Sequence, residues 1–172
     1  MATLVITVPH SYCRRGDDQD HLCDLVAEQA GHELQAIAAP YFSRVSFYLS
    51  DRPRSELDLN REEAYNSIWR VALRERIEDL QKLGPVVLLD LHSYPNGSYP
   101  GVFTVLYVDK NRDYVPNLGP SVHWLQGSPV NSIVTEFHAK LRWALLLEVN
   151  EESKPEQRKD VFTKLVQFLA RR

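Results

Sequence analysis

Three apolar runs in this chain end on side chains that can ligate a metal or move a proton. Residues 3–8 (TLVITV) lead into Pro9, His10 and Ser11. Residues 86–91 (VVLLDL) carry Asp90 and continue into His92 and Ser93, and residues 143–149 (WALLLEV) carry Glu148. Asp90 and His92 stand two apart, so on a strand they share a face. A carboxylate beside a metal-bound imidazole orients the ring and fixes its tautomer. Each residue has a plainer reading alone: His10 as a loop residue, Glu148 as a surface carboxylate, Asp90 and His92 as a hydrogen-bonded pair. Together they supply the parts of a hydrolytic zinc site, which takes three protein ligands and leaves a position for water. Such a site also needs a carboxylate base near that water. His10, His92 and an acidic residue near Asp20 fill the ligand roles, and Glu148 the base.

The segment Asp51-Arg52-Pro53-Arg54 with Asp58-Leu59-Asn60-Arg61 adds anion chemistry. Guanidinium groups grip carboxylates through two parallel hydrogen bonds and stay charged. One placed near a metal can stabilise a developing oxyanion. The plainer reading is a solvated loop whose Asp58 or Asn60 caps the helix that follows.

The elements that must position these groups alternate. Residues 3–8, 45–49, 86–91, 103–108 and 143–149 read as strands, those over 86–91 apolar enough to be covered on both faces. Helices are predicted after Gly16, with Leu22, Leu25, Val26 and Ala30 at helical spacing; over 61–83, with Trp69, Leu73, Ile77 and Leu80 in a stripe that stops at Gly84-Pro85; from Ser128-Pro129 to about Lys140; and over 160–171. This order predicts an α/β fold, three layers α/β/α around a mostly parallel sheet. In such sheets ligands bind at the carboxyl ends of the strands, where the polar residues above stand.

Four segments, VPHS, RSELDLNR, LDLHS and LLLEVNE, resemble in that order the signature segments of the N-formylglutamate amidohydrolases. More distantly they resemble aspartoacylase and the zinc carboxypeptidases. The resemblance spans residues 4 to about 150 and implies the zinc-carboxypeptidase-like (phosphorylase/hydrolase-like) fold. It implies a zinc-dependent amidohydrolase acting on N-formylglutamate or another N-acyl amino acid. His10 and His92 match the two zinc-binding histidines. Arg54, seven before Arg61, would polarise the scissile carbonyl. Asn60 and Arg61 would hold the substrate carboxylate, Glu148 would be the general base, and Asp90 would support a ligand. The carboxypeptidases place a Glu three residues after the first His, where this chain has Cys13. The amidohydrolases place an acid further on, opening the next helix. Asp20 is favoured there for its spacing to Leu22 and Leu25, with Asp18, Asp17 and Cys13 as alternatives.

Composition bounds the rest. A chain of 172 residues fits one domain, 1–172, and 44% hydrophobic residues supply a core. Net charge is -3 and pI about 6.1, which disfavours nucleic acid. No run is long enough to span a membrane. The start of the chain shows no leader, and the two cysteines read as free thiols, so a cytoplasmic protein is expected. The expected partner is a small molecule or short peptide with a free carboxylate; oligomeric state is not legible. A zinc carboxypeptidase or γ-glutamyl peptide hydrolase is the alternative enzyme. A carboxylate-binding module without catalysis is the alternative of another class. A nucleotide-binding protein would want a Gly-rich turn after the first strand, where Pro9-His10-Ser11 stands.

Overall fold

The computed structural model describes residues 1–13, 23, 24, 26–99, 101–108, 116–126 and 132–171. Its strands are β1 (Thr3–Val8), β2 (Arg44–Leu49), β3 (Val86–Tyr94), β4 (Phe103–Tyr107), β5 (Val122–Gln126) and β6 (Trp143–Asn150). Its helices are α1 (Ala27–Ala38), α2 (Ile68–Gln81), α3 (Ser132–Phe137) and α4 (Pro155–Arg171). The strands form one sheet in the order β2-β1-β3-β6-β4-β5. β2, β1, β3 and β6 run parallel, and β4 runs antiparallel to β6 with β5 parallel to it.

The alternation of side chains along each strand feeds two cores. Leu4, Ile6, Val8, Leu89, Leu91, Leu145 and Leu147 face α1 and α4, which answer with Leu34, Phe162, Leu165 and Leu169. Val5, Leu88, Ala144 and Leu146 face the other way, onto Trp69, Leu73, Ile77 and Leu80 of α2 and Phe137 of α3. This is the three-layer arrangement with a mostly parallel sheet, and all nine residues of β3 are buried at its centre. Each fully buried Leu or Phe contributes about 1.5–3 kcal/mol relative to exposure. α1 lies so close to β2 that a Cβ on Gly31 would sit 2.6 Å from the Phe47 ring.

Several boundaries differ from expectation. α2 begins at Ile68, not near Arg61. Ser67 caps it, its hydroxyl accepting from the Arg70 amide at 3.2 Å. Only a short 3-10 turn, Glu62–Ala64, lies between, and Arg61 keeps an extended backbone. Neither Asp58 nor Asn60 caps the helix. α4 starts five residues before the predicted 160, at Pro155. The Gln157 side chain accepts from the Lys154 amide there, one half of a capping box. β5 was not anticipated: it is a half-exposed edge strand with no continuous apolar run. The predicted start of the third helix at Ser128-Pro129 lies outside the described residues, and α3 ends at Phe137, short of Lys140.

The cysteines are a correction. Cys13 and Cys23 form a disulfide, with Cα atoms 5.3 Å apart, inside the usual range. The chain returns to the end of β1 before entering α1, and a separation of 10 residues gives no local sign of that return. The free-thiol argument for a reducing compartment therefore falls. Among the described residues no helix is long and apolar enough to cross a membrane.

Candidate metal and active site

β1, β3 and β6 release their polar residues at one edge of the sheet. His10 follows β1 by two residues. Asp90 and His92 lie on β3 on the side of Leu88, and in the β3–β6 register His92 stands opposite Glu148. On the far side of Glu148 is Thr104 of β4. The segment 58–60 is fixed from below: the carbonyl of Asn60 accepts from Ser132 and its side-chain oxygen from the Ile133 amide, both at 3.3 Å. Arg70, buried in α2, donates to the Leu59 carbonyl at 2.9 Å and is paired with Glu136.

The two imidazoles meet edge to face, with ring centroids 4.8 Å apart. Asp24 lies between them. Its Oδ2 is 2.9 Å from His92 Nδ1 and 3.3 Å from His10 Nδ1. The outward nitrogens are each tied to a carboxylate: His10 Nε2 to Asp58 at 2.7 Å and His92 Nε2 to Asp90 at 3.1 Å. Asp90 in turn accepts from the Thr7 hydroxyl at 2.6 Å. The Asn60 amide lies 3.3 Å from His92 Nε2. Asp58 also accepts from Arg54 Nε at 3.1 Å and the Asn60 amide N–H at 3.0 Å, and it pairs with Arg61 at 3.6 Å.

His10, Asp24 and His92, all buried, offer one ligand atom each within 4.8 Å of one another. His10 Nδ1 is a buried nitrogen with no hydrogen bond of good geometry. Metal–ligand bonds of about 2.0–2.2 Å in a tetrahedron put ligand atoms roughly 3.3–3.5 Å apart. The two contacts of Asp24, 2.9 Å to His92 and 3.3 Å to His10, are close to that. Two imidazoles and one carboxylate, each ring backed by a second carboxylate, suit zinc. The residues present fit the ion.

Burial alone would raise the Asp24 carboxyl, but hydrogen bonds and charge from His10 and His92 outweigh it and hold it well below the carboxylate range. Burial likewise disfavours charge on His92, yet Asp90 and Asp24, one at each nitrogen, raise its pKa well above the usual imidazole value. Asp58 is held low against its own burial by His10 and Arg54. Glu148 moves the other way. Burial, with Asp24 and Asp90 nearby, pushes it up to about 7 against the opposing pull of His92 and His10. A carboxyl with a pKa near 7 in a cleft is suited to taking and returning protons.

These groups open onto one cavity of about 430 Å³. Arg54, Asn60 and Arg61 line one side, Tyr94, Pro95 and Tyr99 another, with Glu148 and the His10–Asp24–His92 group among its walls. Of the residues the sequence singled out, His10, His92, Glu148, Arg54, Asn60 and Arg61 all line this cavity, and Asp90 lies behind His92. Asp20, Asp18 and Asp17 lie outside the described residues. Asp24 and Asp58 were missed. Asp24 stands just before α1, where an acid opening the next helix was sought, but the DDQD run drew attention upstream. Asp58 was read as part of the arginine segment or as a helix cap, not as a partner of His10.

The sequence matches no known family model and no curated protein. Solved structures do match in shape. The crystal structure of gene product Atu2144 from Agrobacterium tumefaciens superposes with a TM-score of 0.66 at 13% identity, over 99% of this chain and 88% of the other. A metallo-carboxypeptidase from Burkholderia cenocepacia gives 0.57 at 14% identity, over 98% of this chain. The chain has a zinc-carboxypeptidase-like fold. It spans 56% of the length of the Burkholderia metallo-carboxypeptidase.

Proposed function

We propose that this protein is a zinc-dependent amidohydrolase that cleaves an amide bond of a small carboxylate-bearing substrate, N-formylglutamate or another N-acyl amino acid. One observation carries the reading: His10, Asp24 and His92 bring ligand atoms within 4.8 Å of one another in a cavity that Glu148, Arg54, Asn60 and Arg61 also line. His10, Asp24 and His92 would hold the ion. When bound, it supplies a Lewis acid and an acidified water. Asn60 and Arg61 bind the substrate carboxylate, which fixes the amide in the cavity. Arg54, oriented through its Nε by Asp58, directs its remaining N–H groups at the carbonyl oxygen as charge develops there. Glu148 takes a proton from water through its carboxylate oxygen and returns it to the leaving nitrogen. The four family-like segments support this assignment because each contributes a cavity residue.

A zinc carboxypeptidase or γ-glutamyl peptide hydrolase is the second reading, favoured by the fold shared with a metallo-carboxypeptidase. A panel of N-acyl amino acids against short peptides separates the two. The deciding test is Glu148→Gln. The variant is expected to keep its zinc and lose at least about 100-fold in kcat, in line with removal of a general base. Near-normal turnover on every substrate the native protein cleaves would remove Glu148 from the mechanism. Absence of both bound zinc and turnover in the native protein would favour a carboxylate-binding module instead.

A further inference from the structure

Cys13 stands three residues after His10, and Cys23 immediately precedes Asp24. The disulfide between them thus covalently joins the two segments that deliver two of the three donor groups. We propose that Cys13 and Cys23 are positioning residues of the metal centre: their disulfide holds the Asp24 carboxylate against the two imidazoles, and breaking it weakens metal binding. The inference rests on the proposed metal site of His10, Asp24 and His92.

Apart from its carboxylate contacts with His92 and His10, few bonds among the described residues fix Asp24 in place. α1 starts only at Ala27, so Asp24 lies outside its ladder of hydrogen bonds. The Asp24 amide donates to the His10 carbonyl at 3.0 Å, and its carbonyl accepts from Ala27 at 3.2 Å. Two residues on, the Val26 amide reaches the Ser93 hydroxyl at 3.3 Å. Val26, the residue capping α1, makes no side-chain capping bond. Against these single bonds stands the cost of keeping a buried carboxylate away from water. A cross-link removes much of the freedom by which the segment would leave. A donor set assembled before the ion arrives binds more tightly than one assembled by it, because less ordering remains to be done.

The bond can be opened selectively. Cys13 is exposed and Cys23 fully buried, so a reductant reaches the Cys13 sulfur. A water-soluble phosphine attacks Cys13 Sγ, the S–S bond breaks, and Cys23 leaves as a thiolate that takes a proton from water. Hydroxide then displaces the Cys13 thiolate from phosphorus, which departs as the phosphine oxide after losing a proton to that thiolate. The disulfide gains two electrons and phosphorus loses two.

The experiment measures zinc affinity by competition with a chromogenic chelator at fixed pH, independently of turnover. It compares the oxidised protein with Cys13→Ala/Cys23→Ala, which has no thiols of its own to bind zinc. The expected result is a Kd raised about 10- to 100-fold, the usual effect of losing a group that orients a ligand, with far-UV circular dichroism unchanged. In an Asp24→Asn background the same pair of substitutions should change Kd by less than about twofold, since nothing is left to position; coupling of this kind separates positioning from a general structural role. If the alanine pair fails to fold, phosphine-reduced native protein takes its place, its two thiols S-methylated so that they cannot ligate zinc as thiolates. Unchanged or tighter zinc binding without the disulfide overturns the proposal. So does loss of the cooperative fold in both forms, which makes the disulfide a staple of the whole domain. Failure of the oxidised native protein to bind zinc refutes the metal site itself, a different result from unaltered affinity.

Discussion

Substituting Asp24→Asn separates the acid found in the structure from the acid favoured by sequence. The change keeps the side chain's shape and removes its charge. The carboxylate makes a hydrogen bond of 2.9 Å to His92 and a looser contact of 3.3 Å to His10. A hydrogen bond to a charged partner contributes about 1.5–3 kcal/mol, so the variant should lose about that much stability at pH 7. The sign with pH follows from the lowered Asp24 pKa. A depressed carboxyl contributes stability that is complete above its unfolded value, about 3.9, and fades as pH falls through the folded value. The gap between native and variant protein in urea unfolding should therefore be widest above about pH 5 and narrow steadily in acid. Zinc affinity should fall further. Losing a partner behind a ligand costs about 10- to 100-fold, and here a ligand and its charge are lost together, so Kd should rise more than about 100-fold, or about 2.7 kcal/mol. Chelator competition measures it, with Asp20→Asn as the control. The reasoning fails if Asp20→Asn abolishes zinc binding while Asp24→Asn leaves it within about twofold.

Two further outcomes follow from groups around the same sheet edge. His92 has a carboxylate at each nitrogen and a pKa raised above the usual imidazole value, which favours a proton on both nitrogens, and an ion bound to the ring displaces one of them. Calorimetry in two buffers of different ionisation enthalpy should show about one proton released, with Kd falling about tenfold per pH unit below the His92 pKa; identical heats in both buffers would contradict this. Gly31→Ala tests the close approach of α1 to β2: the helix gains up to about 1 kcal/mol, but overpacking against Phe47 at 2.6 Å costs about 1–3 kcal/mol. The melting temperature should drop by about 2–6 °C, and an increase would show that the Phe47 ring yields freely.

What was legible in the sequence was what is written locally. The run VVLLDLHS places Asp90 and His92 on one face because a strand repeats every two residues, and neither needed a distant partner to be identified. The stripe Trp69, Leu73, Ile77, Leu80 was legible for the same reason, since one helix face is buried. Where the outcome depended on which segments meet, the reading stopped short. VHWLQ makes an edge strand because β4 offers it a place, and its own residues are half exposed. Asp58 illustrates the limit most sharply. By local rules a carboxylate ahead of a helix is a cap, and Ser67, nine residues on, does that work instead. Its actual partners, His10 at a separation of 48 residues and Arg54 at 4, join a strand end to an arginine loop. A residue's type and spacing limit what it can do, but the sheet order β2-β1-β3-β6 decides which of those roles it meets. Here that order brings the ends of β1, β3 and β6 together, so that one carboxylate orients an imidazole and also holds the Arg54 guanidinium in the cavity beside it.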